Sequence, residues 1–119
     1  MFFMRAVNIK EDLFYGTSES ELEKLDLENN FLLFVKDAKI AYASALRESA
    51  KNSGSMAIIH LNGGDFFVNK ENGEKYISLG IAGKEAYKLG VARAYGGGEV
   101  RIYRGEGMSG LEYFRTIFL

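Results

Sequence analysis

Two continuous apolar runs constrain this chain more than any other feature: "FLLFVK" at 31–36 and "MAIIHLN" at 56–62. Each has the length of a strand and lacks the polar alternation of a half-exposed one. Both therefore read as strands buried on two faces. Between them, Asp37 is placed to cap a helix over 38–52, with Ile40, Ala43, Leu46 and Ala50 at helical spacing. "SGS" at 53–55 ends that helix.

The other segments fall around this frame. Residues 2–9 and 12–15 read as two short strands or an extended lead-in. Ser18 or Ser20 can cap a short helix, "SESELEKLD", with Glu21 and Glu23 near its positive end. "GGD" at 63–65 reads as a turn, and Asn72-Gly73 as a hairpin dipeptide between two short strands. "GKEAYKLG" at 83–90 reads as a helix stopped by Gly90. A strand is expected at 99–104, and "LEYFRTIFL" at 111–119 is expected to be the closing strand. The order is roughly β-α-β-α-β-β-β-α-β-β. That implies a single α+β domain over residues 1–119 with a mainly antiparallel sheet.

Composition excludes several function classes. The chain has 119 residues, no cysteine and one histidine, His60. A disulfide framework and a thiolate metal centre are therefore impossible, and no metal cofactor is expected. The net charge of −1 gives no electrostatic footprint for nucleic acid. No apolar stretch is long enough to span a bilayer, so no membrane partner is expected. The start, "MFFMRAVNIKEDL", lacks a secretory cleavage pattern, and a cytoplasmic location is expected, with secretion as an effector left open.

Three stretches carry candidate chemistry. In "LFYGTS" (13–18), Gly16 either ends a strand or offers bare backbone to a planar amide, which glycine permits because it has no Cβ. In "FLLFVKDAKIAYASA" (31–45), Tyr42 stands among alanines at 38, 41, 43 and 45. Its ring either fills a gap in the core or walls a pocket and stacks on a flat heterocycle. In "GGGEVRIYRG" (96–105), no Lys-Ser/Thr and no helix follow the glycines, so this is not a phosphate loop. Glu99 enters a strand there. It is either a cleft-rim carboxylate or a surface one alternating with Arg101. Arg101 and Arg104 either bind a pyrophosphate or an acidic acceptor or, the favoured reading, pair with Glu99 and Glu106, and His60 is expected to point away from the core face.

Taken together, "LFYGTS", "LLFVKDAKIAYA", "GGEVRIY" and the tail "GLEYFRTIFL" resemble the ADP-ribosyltransferase superfamily. The poly(ADP-ribose) polymerase-like branch is the most similar, and the resemblance runs from about residue 12 to the end. It implies a compact split-sheet fold and NAD as co-substrate. Gly16 would hold the nicotinamide carboxamide, Thr17 would position the dinucleotide and Tyr42 would stack on the nicotinamide ring. Glu99 would stabilise charge at the anomeric carbon. The family histidine falls on Tyr15, whose phenol can replace its hydrogen bond to ribose. The family tyrosine falls on Leu33, beside Phe34 in the cofactor-binding segment. The resemblance implies a mono-ADP-ribosyltransferase of phage, viral or toxin type, acting on an unidentified acceptor, a protein first. A catalytically inactive relative that binds a nucleotide or a protein is the alternative. An unrelated α+β interaction module is the third.

Overall fold

The computed structural model describes residues 5–118. Along the chain come β1 (Arg5–Ser18), α1 (Glu19–Lys24), β2 (Leu32–Leu33), α2 (Ala38–Lys51) and β3 (Met56–Glu71). After them come β4 (Glu74–Ser78), α3 (Gly80–Leu89), β5 (Val91–Arg93), β6 (Glu99–Arg104) and α4 (Gly110–Phe118). The architecture is α+β, a six-stranded antiparallel sheet with short helices.

β3 is the axis of the sheet. On one side it pairs with β1 along nearly its whole length, from Arg5↔Val68 to Ser18↔Met56. On the other side it pairs with β6 through residues 57–62 and with β4 through residues 67–71. β2 pairs with the free side of β4, and the same segment reaches β1 through a bridge between Phe14 and Val35. The Phe14 N–H donates to Val35 O at 2.8 Å, and the Val35 N–H returns the bond to Phe14 O at 2.9 Å. The sheet thus curls until β1, β3, β4 and the β2 segment enclose a core. Glu11 adds ion pairs across the same seam, to Lys36 at 3.2 Å and Lys75 at 3.3 Å. The hydrogen bond from Lys36 holds its carboxyl below the usual range.

One sheet face is apolar and covered. Leu13, Leu61 and Val100 form a cross-strand row, as do Tyr15, Ile59 and Ile102. Leu22, Leu27, Leu79, Ala82 and Ala86, from α1, α3 and the segments beside them, close over it. The opposite face is only partly covered. There α2 and α4 meet over Ile58 and Met56, with Tyr113 of α4 fully buried and its hydroxyl donating to Tyr103 O at 2.7 Å. Burial holds the Tyr113 phenol far above its ordinary pKa, so it stays a neutral donor.

Several local signals act as the sequence suggests. Ser18 accepts from the Glu21 N–H and caps α1, and Asp37 accepts from the Lys39 N–H and caps α2. Asn72 (φ 52°) and Gly73 (φ 78°) make the two-residue hairpin between β3 and β4. Gly90 ends α3 in the left-handed region, at φ 87°.

Other expectations are corrected. The two short strands expected at 2–9 and 12–15 are one strand, β1, with a register shift between Ile9 and Asp12; residues 2–4 lie outside the described residues. "GGD" is not a turn, since β3 runs through it. The glycines there meet those of the 96–98 loop backbone to backbone. A Cβ on Gly98 would lie 1.9 Å from Gly63 O. The expected closing strand at 111–119 is helix α4, with Leu119 outside the described residues. Ser109 nucleates it: its hydroxyl accepts from the Glu112 N–H, and its carbonyl from the Tyr113 N–H. In α2, the inward face is Ala41 and Ala45, while Ile40 (58% exposed) and Leu46 (41%) point outward.

That last inversion has a steric cause. α2 lies so close to β1 that a Cβ on Gly16 would fall 1.8 Å from Ala41 O and 3.1 Å from Ala45 N. Only alanine on the helix and glycine on the strand allow this approach, so Ile40 and Leu46 cannot face inward. Gly16→Ala is therefore expected to destabilise the fold by about 3 kcal/mol, in the upper range of overpacking in a rigid core. Urea denaturation reads this as a lower midpoint; an unchanged midpoint would contradict the close packing of α2 on β1.

Candidate functional site

The helices cover only one end of the outer sheet face. Strand register maps what they leave open. Nearest the helices, Gly16, Ile58 and Tyr103 form a row. The next row is Phe14, His60, Arg101 and Val91, and beyond it lies Asp12, Asn62, Glu99 and Arg93. Directly paired residues project from the same face, so the two outer rows form one surface across β1, β3, β6 and β5.

Aromatic stacking, a hydrogen bond and an ion pair order this surface. The Phe14 and His60 rings stack at 4.5 Å between centroids and 9° between planes. His60 also stacks on Tyr103 at 6.3 Å and 21°. The three rings form a file across three strands, and the Arg101 guanidinium carbon lies 5.9 Å from the Tyr103 ring centroid. His60 Nε2 hydrogen-bonds Asp12 Oδ1 at 2.9 Å. Arg101 donates to Glu99 from Nε at 3.2 Å and from Nη2 at 3.0 Å. Both bonds fall on Glu99 Oε1, which leaves Oε2 without a protein donor among the described residues. The charged ends stay in water: the side chains are 59% exposed at Asp12, 45% at Glu99 and 42% at Arg101.

The structure does not assemble the nicotinamide clamp that the resemblance implies. Gly16 faces α2, not a cleft, and its carbonyl already accepts a hydrogen bond from Ser44 Oγ at 3.0 Å. Tyr15 projects to the other side of the sheet, against Phe34 at 5.8 Å and the main core. Its phenol is pushed above its ordinary pKa, first by burial and then by Glu48 and Glu21. Phe34 and Thr17 are buried, at 5% and 3% exposure. The Tyr42 ring is enclosed by Tyr113, Phe114 and Phe118 of α4, and its hydroxyl donates to Gly110 O at 3.2 Å. Glu99 lies four residues along the strand from the level of Gly16, on the far side of β3. Strand geometry puts the two about 16 Å apart. Of the residues expected to form the site, only Glu99 lies on the open part of the outer face.

His60 does point away from the core, as the alternation in "AIIHLN" suggests. Its neighbours Asp12, Phe14 and Asn62 carry no motif. They become a site only through the β1–β3 register, which the sequence does not specify. Arg101 pairs with Glu99 as expected, but Arg104 does not pair with Glu106. Arg104 lies over the Tyr87 ring at 4.5 Å and donates to Tyr87 O.

Among the described residues there is no group of three or more His, Cys, Asp or Glu side chains placed to hold a metal ion. No helix among them is long and apolar enough to cross a membrane. Comparison of the chain with family models, curated proteins and solved structures returns no match.

The Asp12–His60 and Glu99–Arg101 contacts are too exposed to hold the fold together. A double-mutant cycle of Asp12→Asn and His60→Gln, followed by urea denaturation, is expected to give a coupling below about 1 kcal/mol. A coupling of several kcal/mol would make the pair a structural element instead of a ligand-facing one.

Proposed function

We propose that the chain is a nucleotide-binding module that uses the open part of its outer sheet face. The file of Phe14, His60 and Tyr103 carries this reading. Rings held in parallel on adjacent strands offer a further flat ring the same offset stacking they make with each other. A nucleobase supplies that ring, and base–aromatic stacking contributes about 1–3 kcal/mol per base. Arg101 and Arg93 lie in the adjoining positions and can bind phosphate oxygens, Arg101 with a planar fork. Asp12 and the free Oε2 of Glu99 can accept hydrogen bonds from ribose hydroxyls. The mixed charge favours a single nucleotide over a polynucleotide, whose backbone asks for a continuous basic track.

Isothermal titration with ADP-ribose and with AMP tests this. Binding is expected for both. Phe14→Ala and Arg101→Ala are each expected to weaken it about tenfold, the equivalent of about 1.4 kcal/mol. Absence of binding, or binding indifferent to both substitutions, would refute the proposal.

The position of Glu99 favours a second reading, in which NAD is turned over. In that reaction the bond from the ribose anomeric carbon to the nicotinamide nitrogen breaks, and its electron pair returns to the ring, which leaves neutral. The acceptor forms a new bond at that carbon and loses a proton. A carboxylate facing the oxocarbenium-like sugar lowers the barrier, and removing such a group typically costs about 10²–10³ in rate. Nicotinamide release from NAD, with cell extract supplied as acceptor, is expected to fall by that factor in Glu99→Ala. Release that is absent in the wild type, or unchanged in the variant, would remove Glu99 from any such chemistry and leave the binding module.

A further inference from the structure

A cleft of about 560 Å³ opens beside the N-terminus of α3, farther along β3 than the Asp12–Asn62–Glu99 row. Its walls are Phe31, Phe67, Ile81 and Tyr95, with Asp65 and Glu28 among the lining residues. Phe67 is 54% exposed, Ile81 51% and Tyr95 57%. Three large apolar side chains left in water around one concavity mark a binding surface more than a packing defect.

The charge on the lining has one sign. No lysine or arginine lines the cleft among the described residues, while two carboxylates do. Glu28 is partly neutralised by Lys84, at 4.0 Å between exposed side chains. Asp65 has no such cation among the described residues. Its Oδ1 accepts from Asn8 Nδ2 at 2.7 Å, and its carboxylate lies against Gly96, where a Cβ would approach Oδ2 to 2.5 Å. A bridge between Asp65 and Tyr95 ties it to the ring that forms one wall, with the Asp65 N–H donating to Tyr95 O at 2.6 Å. The carboxylate is thus fixed beside aromatic walls, without a cationic side chain against it among the described residues.

We infer that this cleft binds a small organic ammonium ion with an apolar body. Aromatic faces attract a cation through their quadrupoles, and a fixed carboxylate adds to that attraction in a partly desolvated site. The volume suits a free ligand of drug-like size more than a single lysine side chain reaching in from a partner. This binding is independent of the nucleotide proposal, because none of the cleft residues named here belongs to the sheet-face rows.

The test uses three probes of nearly one shape: 4-hydroxyphenyltrimethylammonium, neutral 4-tert-butylphenol and anionic 4-tert-butylbenzoate. Each is titrated into the full chain and followed by amide chemical shifts. The cation is expected to bind about tenfold or more tightly than the neutral probe, with shifts at Phe67, Ile81 and Tyr95 and none at Phe14 or His60. The anion is expected to bind most weakly. Asp65→Asn, which keeps the shape of the side chain, is expected to abolish the preference for the cation, and Phe67→Ala to weaken all three probes. Equal affinity for the cation and the neutral probe, a preference that survives Asp65→Asn, or no binding of the cation would each overturn the inference. Thermal melts of both variants separate a lost site from a lost fold.

Discussion

The contact between Gly16 of β1 and the backbone of α2 sets the arrangement of everything on the outer face. It brings a helix axis closer to a strand than any side chain on that strand would permit. Ala41 and Ala45 become the inward face, and Tyr42 is carried toward α4, where Tyr113, Phe114 and Phe118 enclose it. Because the two helices gather over Ile58 and Met56, the remainder of that face stays open. The stacked rings of Phe14 and His60 lie where helix cover stops.

β3 then decides what the open part contains. It pairs with β1, β4 and β6 alike, so its register chooses which residues become neighbours. The glycines at 63–64 let the 96–98 loop cross against its backbone, which fixes where β6 begins and so where Glu99 stands. A shift of one residue would send His60 and Arg101 to the apolar core and bring Ile59 and Ile102 into water. The hydrophobic rows on the covered face make such a shift costly. The polar site is therefore held in place by the apolar residues behind it.

Much of the fold was legible in local chemistry. Asp37, Asn72-Gly73 and Gly90 act through hydrogen bonds or φ angles that depend on a few adjacent residues, and each marks the boundary that it suggests. The apolar runs at 31–36 and 56–62 do join the sheet, although the first contributes only Leu32–Leu33 and the Val35 bridge. What failed depended on distant partners. Ile40 and Leu46 are more hydrophobic than Ala41 and Ala45, yet close approach to Gly16 selects the smaller face. Residues 111–118 place Tyr113 and Ile117 at helical spacing, but their aromatic and β-branched content favours a strand, and the cap at Ser109 decides for the helix. The candidate site was the least legible part. Glu99 and His60 could be singled out by residue type, but Asp12, Phe14 and Arg93 join them only through pairing across four strands.

The outer face depends most on the space beside Gly16 being filled by α2 and therefore closed to any ligand. Nuclear Overhauser contacts measure that directly. Cross-peaks are expected from the Gly16 α-protons to the methyl groups of Ala41 and Ala45, with none from Gly16 to residues of the Asp12–Asn62–Glu99 row. A Gly16 that shows no contact with α2, or one with contacts to Glu99, would contradict the account and return the strand end at Tyr15-Gly16-Thr17 to the site.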